Sequence, residues 1–313
     1  MMMIHEPAKV DYTIAVIGCG VIGTSWAALF SSYGYTVRLW DAAPGWQQRV
    51  DAPIAAAKSQ LRDLGISGDG RLVYCPTLEA AVAGAGWVQE STPESLDVKR
   101  SVFADIGAHA PRAAIIASST SSFTWTSLAG FMFDPSRLVT AHPFNPPHLM
   151  PLVEVYASTD LVAAHALGFF RGIGRRPIRL RIDATGHVAN RLASALWREA
   201  VHIVASGIAD VADVDAAVVD GPGLRWSTVG PHMAYHLGGG TGGIRNYLQH
   251  LGDSQVRRWA DLGSPTLSDD VREAIAKGVE REAAGRSVDV LAHDRDALLI
   301  ATLRARKALQ QCE

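Results

Sequence analysis

The stretch Thr13-Ile14-Ala15-Val16-Ile17-Gly18-Cys19-Gly20-Val21-Ile22-Gly23-Thr24-Ser25-Trp26 decides the fold. Its first five residues are a short, nearly continuous β-branched run of the kind that forms a strand buried on both faces. Three glycines follow in the spacing G-x-G-x-x-G, and Trp26, Ala27, Leu29 and Phe30 then recur at helical intervals until Gly34. A strand that passes through a glycine turn into a helix is a dinucleotide-binding unit. Gly18 permits the tight turn, Gly20 lets the backbone approach a pyrophosphate, and Gly23 lets helix and strand pack closely. Val21 and Ile22 complete the loop, where free amides at the helix N-terminus meet phosphate oxygens.

Thr36-Val37-Arg38-Leu39-Trp40 reads as the second strand, and Asp41 ends it 18 residues after Gly23. A carboxylate at that point accepts hydrogen bonds from the adenosine ribose and repels a 2′-phosphate. No arginine follows within Ala42-Ala43-Pro44, so NAD is expected rather than NADP. The competing account is an aspartate that caps a strand beside a structural glycine turn.

Further short apolar runs occur at Trp87-Val88, Ala114-Ile115-Ile116-Ala117, Leu138-Val139, Leu152-Val153 and Pro177-Ile178-Arg179-Leu180. They alternate with helical or turn segments, as buried strands of a mostly parallel sheet do. Beyond residue 184 the period changes. Leu192, Ala195, Leu196, Glu199, Ala200 and Ile203 follow a helical spacing, Gly207 closes that helix, and Asp210 is placed to cap the next. The expected architecture is α/β: a loose tail at 1–11, a Rossmann-type sheet domain at 12–184, and a smaller all-α domain at 185–313. Gly238-Gly239-Gly240-Thr241-Gly242-Gly243 requires a mobile or a tightly turning loop. The wide apolar stripe of so small a helical domain calls for a partner surface, and a homodimer made through it is expected.

With 313 residues the chain exceeds the ~250–300 at which single cores stop growing, in keeping with two domains. A formal charge of −2 without a basic run offers no case for nucleic acid or an anionic membrane surface, which leaves a small-molecule ligand. Cys19, Cys75 and Cys312 are odd in number and far apart, giving neither a disulfide framework nor a metal-ligand spacing. No signal peptide and no stretch near the ~20 apolar residues of a membrane span is evident, so the cytoplasm is the expected compartment.

The chemistry concentrates in Ala141-His142-Pro143-Phe144-Asn145-Pro146, with Glu154 twelve positions beyond the histidine in Leu152-Val153-Glu154-Val155. Prolines fix the backbone beside a titratable ring, and a carboxylate at the end of an apolar run can orient it: the outline of a general acid–base pair. Upstream, Ser118-Ser119-Thr120-Ser121-Ser122 closes a strand at the ligand-binding edge of such sheets, and downstream Asn190-Arg191 opens the long helix. Ser121 and Asn190 are neutral groups that can locate a reacting oxygen, or alternatively a turn cap and an N-cap.

Together Ser121, His142, Glu154 and Asn190 resemble the catalytic pattern of the 3-hydroxyacyl-CoA dehydrogenase superfamily, whose T-S-S, H-x-F-N-P, L-V-E-V and N-R elements occur in the same order. The resemblance extends over nearly the whole chain and is nearest to the branch acting on free 3-hydroxy acids. Within that branch it is nearest to L-carnitine dehydrogenases, then to the L-gulonate 3-dehydrogenase and lambda-crystallin group. The blocks behind it include Trp40 to Gly45, Gln89 to Glu94, Leu96 to Lys99, Trp197 to Ala200 and Gly223 to Trp226. The resemblance implies that His142 takes the 3-hydroxyl proton while hydride leaves for NAD, with Glu154 holding the imidazole. It places Glu94 and Lys99 in the loop after the fourth strand, near the nicotinamide, although a solvated salt bridge accounts for them equally well.

Acyl-CoA enzymes of this superfamily carry a longer helical hairpin after the second strand, and here Asp41 to Glu90 looks contracted. They usually have small or apolar residues where Arg225 and Trp226 stand. Arg225 is therefore expected either to hold a free substrate carboxylate or to brace its own loop. Trp226, Tyr235, Phe123 and Trp125 line a substrate pocket or belong to the core. The expected activity is NAD-dependent oxidation of a small L-3-hydroxy acid. A short-chain L-3-hydroxyacyl-CoA dehydrogenase and a non-catalytic, crystallin-like structural protein are the alternatives.

Overall fold

The computed structural model describes residues 13–310, so the expected tail and Cys312 lie outside the described residues. The chain runs β1 (Thr13–Ile17), α1 (Val21–Ser32), β2 (Val37–Trp40), α2 (Gln47–Asp63), β3 (Leu72–Tyr74), α3 (Leu78–Val82), β4 (Ala85–Glu90) and α4 (Leu96–His109). There follow β5 (Ile115–Ser118), α5 (Trp125–Ala129), β6 (Leu138–Pro143), β7 (Leu152–Ala157), α6 (Asp160–Gly172) and β8 (Arg176–Arg179). Helices complete it: α7 (Ala189–Ala205), α8 (Val211–Val218), α9 (Leu224–Trp226), α10 (Pro231–Gly238), α11 (Gly243–Asp261), α12 (Asp269–Ala283) and α13 (Val288–Gln310).

The eight strands form one sheet in the order β3-β2-β1-β4-β5-β6-β7-β8. All pairs are parallel except β6 with β7. Successive side chains of β1 enter opposite cores. Ile14 and Val16 join Trp26, Leu29, Phe30 and Phe170 on one face, and Ala15 and Ile17 join Phe103, Ile106 and Leu138 on the other. Burial on both faces explains why β1 reads as an unbroken apolar run rather than an alternating one. The Trp87 ring stacks on Phe169 at 3.9 Å, closing α6 onto the sheet.

Two compact units emerge: residues up to Asn190 together with those from Asp294 onward, and Arg191–His293. The division expected from sequence assigns residues 185–313 to the helical part; of these, 185–190 and 294–310 group with the sheet here. The reason is specific bonding, since Val188 and Ala189 donate to Glu154 and Asp296 accepts from Gln60. In the second unit Gly207 takes φ +69° after α7, and Asp210 caps α8 by accepting from the Asp213 amide at 3.0 Å. The glycine cluster is a tight turn: a 3-10 turn at Gly240–Gly242 joins α10 to α11, and a Cβ at Gly243 would lie 2.5 Å from the His236 ring. Among the described residues no helix is long and apolar enough to cross a membrane.

Candidate active site

The glycine loop opens α1, and its three glycines meet different constraints. A Cβ on Gly23 would sit 1.8 Å from the Gly18 carbonyl oxygen, and one on Gly18, at φ +92°, would sit 2.6 Å from Ser91. Gly20 has no atom within 4 Å of its would-be Cβ. Two glycines are thus required by the protein's own packing, while Gly20 faces open space beside a cavity of about 440 Å3 that it lines with Val21, Ile22, Asp41, Arg49 and Thr92. Asp41 Oδ2 accepts from the Cys19 amide at 2.7 Å and Oδ1 from the Ala43 amide at 2.8 Å, which holds the carboxylate at that cavity with lone pairs to spare. An open glycine cradle at a helix N-terminus with an anchored ribose acceptor fits a dinucleotide. Cys19 contributes backbone only, its thiol pushed up to about 12 by burial and then by Asp41.

At the C-terminal edge of β5 and β6 lies a second cavity, about 430 Å3, bordered by Ile22, Ser121, His142, Phe144, Asn145 and Asn190. The antiparallel register pairs His142 directly with Glu154 across β6 and β7, which is why twelve residues separate them. His142 Nδ1 is 2.8 Å from Glu154 Oε2, and the two side chains are almost wholly buried. Glu154 Oε1 accepts from the amides of Val188, 2.8 Å, and Ala189, 2.9 Å, at the start of α7. Burial would raise this carboxyl, but hydrogen bonds from His142, Ala189 and Val188 outweigh it and hold the group below its usual range.

Ser121 is positioned by Glu94, whose Oε1 accepts from the Thr120 hydroxyl at 2.6 Å and from the amides of Ser121, 2.9 Å, and Ser122, 2.7 Å. The Ser121 hydroxyl itself has no hydrogen-bond partner among the described residues. Asn190 Nδ2 reaches the Ser121 carbonyl at 3.5 Å. Glu94 is held below its ordinary range, burial being outweighed by Thr120, Ser122, Lys99 and Ser121.

Lys99 departs from expectation. It lies on α4 rather than in the loop and is 1% exposed, so its salt bridge is not solvated. Its ammonium meets Glu90 Oε1 at 2.9 Å and Glu94 Oε2 at 3.4 Å. Glu90, fully buried at the end of β4, also accepts from the Ser118 hydroxyl at 2.6 Å and the Thr92 amide at 2.7 Å. The pair fastens the ends of β4 and β5 beside the cavity. Reading the sequence missed Glu90 as a site residue, as it did Asn145 and Ser119, which border the same cavity.

Other candidates fall elsewhere. Trp125 donates its indole N–H to the Leu138 carbonyl at 2.8 Å, and both Trp125 and Phe123 pack on the core. Arg225 and Trp226 lie exposed on α9 in the second unit, where the Tyr235 and Tyr247 rings meet at 4.8 Å, tilted by 37°. A further buried histidine, His148, does not border the His142 cavity: its Nδ1 meets the Ser25 hydroxyl at 2.8 Å and its Nε2 the Gln60 carbonyl oxygen at 2.5 Å. Burial pushes it down to about 4.

An anchored ribose acceptor and glycine cradle on one side, with an oriented imidazole on the other, is the equipment of an NAD-dependent dehydrogenase, and the chain is one. It belongs to the 3-hydroxyacyl-CoA dehydrogenase family: residues 13–183 match that family's NAD binding domain and residues 186–283 its C-terminal domain. The chain is 44% identical to an L-carnitine dehydrogenase of Streptomyces griseus, over 93% of this chain and 89% of that one. It is 37% identical to that of Pseudomonas putida, over 95% and 94%. Among solved structures it resembles 5-formyl-3-hydroxy-2-methylpyridine 4-carboxylic acid 5-dehydrogenase, an NAD+ dependent dismutase, with TM-score 0.83 and 27% identity over 95% of this chain and 98% of that one.

Proposed function

We propose that this enzyme oxidises the 3-hydroxyl of a small, free L-3-hydroxy acid of the carnitine type to the 3-oxo acid. The observation that carries the reading is the 2.8 Å bond from His142 Nδ1 to Glu154, made by a histidine that borders one cavity with Ser121 and Asn190. With Nδ1–H donated to the carboxylate, His142 Nε2 presents its lone pair and accepts the hydroxyl proton. Bound NAD supplies the acceptor for the hydride that leaves the same carbon. Glu154 offsets the positive charge that His142 gains, while its bonds to Val188 and Ala189 keep it ionised and still. The Ser121 hydroxyl and the Asn190 amide hydrogen-bond the reacting oxygen without competing for its proton. Gly18, Gly20, Val21, Ile22, Gly23 and Asp41 hold the dinucleotide, and Glu94 and Lys99 fix the serine loop beside its nicotinamide end.

Support for a free acid comes from relatives named L-carnitine dehydrogenase at 36–44% identity. Arg225, exposed on α9, is the proposed partner of the substrate carboxylate and Trp226 of its tail. The rival substrate is a CoA thioester, favoured by 28% identity to an Escherichia coli 3-hydroxybutyryl-CoA dehydrogenase structure, TM-score 0.60, over 72% of this chain and 49% of that one. NADH formation with carnitine, gulonate, 3-hydroxybutyrate and 3-hydroxybutyryl-CoA separates them: carnitine or another free acid is expected to lead, and preference for the thioester defeats the reading. His142→Ala is expected to abolish turnover while NAD still binds. We further propose a cytoplasmic homodimer, supported by exposed Leu192, Trp197, Met233, Leu248 and Trp259 in the helical unit.

A further inference from the structure

His187 has no role in the chemistry above, yet it lies against the His142 ring and bonds the residue before Ser121. It is 1% exposed and takes φ +51°, a left-handed backbone that few side chains adopt. Its ring centroid lies 5.0 Å from that of His142, tilted by 43°. Its Nε2 is 3.3 Å from the carbonyl of Thr120, the residue before Ser121. The next two amides in the chain, Val188 and Ala189, are those that bind Glu154. A carbonyl can only accept, so Nε2 carries the proton; Nδ1, with no hydrogen-bond partner among the described residues, carries a lone pair.

We propose that His187 is a positioning residue of the dehydrogenase site: its ring supports His142, its Nε2–H holds the serine loop through Thr120, and its left-handed turn delivers the two amides that fix Glu154. The inference rests on His142 being the proton acceptor. The ionisable groups that face His187 are His142 on β6, Glu154 on β7 and Asp183 in the preceding loop. Burial first, then His142, hold the His187 ring below the usual histidine range, so it is uncharged in neutral solution. An uncharged ring matters here, because proton transfer makes His142 cationic and a second cation at this distance would oppose it. A phenylalanine would fill the space equally well; it would lose the Thr120 bond and the polarity beside the proton acceptor.

The test uses the intact enzyme. His187→Phe keeps an aromatic ring and removes the donor, whereas His187→Asn keeps a donor and tolerates the left-handed turn but removes the ring. Each variant is expected to lose about tenfold in kcat, with KM for the hydroxy acid and NAD affinity within about twofold of wild type. His187→Phe should also move the acid limb of the kcat/KM profile to lower pH, which a merely space-filling role would leave alone. Wild-type kcat with an unmoved profile in a folded variant overturns the proposal. Imidazole nitrogen spectra of the unaltered protein give a check that needs no variant: an uncharged Nε2–H ring is expected at about pH 7 and above, and a protonated or Nδ1–H ring there overturns it. His142→Ala assayed alongside tells the two failures apart, since retained turnover there would defeat the proposed function rather than the role of His187.

Discussion

The two sides of the site are built on opposite principles. The cofactor cradle is made of backbone: Gly18, Gly20 and Gly23 act by lacking a Cβ, and Asp41 is fixed by two amides within 22 residues of it. The proton-transfer side is made by three distant segments, with the buried side chains of His142 on β6 and Glu154 on β7 meeting the amides of 188–189. A cradle of backbone can be recognised in a short stretch of sequence. A cluster assembled from distant segments can be recognised only as far as its register is known.

The contrast is open to attack, and the largest expected effect is on the side-chain half. Glu154→Gln should cost about a thousandfold in kcat while NAD affinity stays within about twofold, because orientation of the acceptor imidazole is lost and the cradle is untouched. Stopped-flow turnover and NAD titration check both numbers. Gly23→Ala should destabilise the fold by about 3 kcal/mol in denaturant titration, since a Cβ 1.8 Å from the Gly18 carbonyl must force α1 off β1. Gly20→Ala, by contrast, should leave stability unchanged and raise the Kd for NAD about tenfold, its methyl group meeting only the space a pyrophosphate would use. Equal stability losses in the two glycine variants would erase the distinction drawn between them. Asp41→Ala should reduce the preference for NAD over NADP by about tenfold, measured as a ratio of kcat/KM values.

The smallest effect is in acid. His148 is lowered in the folded state from 6.5 to about 4 by burial, so its neutral form stabilises the fold fully above 6.5, and that contribution is lost as pH falls toward 4. Glu154 and Glu94, both held below the ordinary 4.5, add a further loss below that value. Melting temperature should therefore begin to fall below about pH 6.5, and His148→Asn should flatten the slope between 6.5 and 4.

Much of the sheet was legible because its strands are buried on both faces and bounded by glycine or proline. β1 and the helix that carries Gly23 could be placed from a few residues. β3 could not: it is three residues long at the sheet edge, and Leu72, Val73 and Tyr74 are half-buried or exposed. The pairing of His142 with Glu154 was readable because both lie on adjacent strands joined by one short connection. Lys99 was misread because nothing local reveals that a lysine in Leu96-Asp97-Val98-Lys99 turns inward to a buried glutamate nine residues earlier. His187 carried no local signal at all, since its meaning depends on Thr120 and His142 arriving beside it.

The bonds from Ser25 through His148 and Gln60 to Asp296 join the helix of the glycine turn to α13. A helix far downstream is thereby wired to the first motif read in the sequence. During synthesis the nucleotide cradle cannot acquire this brace until the residues up to Asp296 have left the ribosome. A nascent chain halted before Asp296 would carry every glycine of the cradle yet lack one of its anchors.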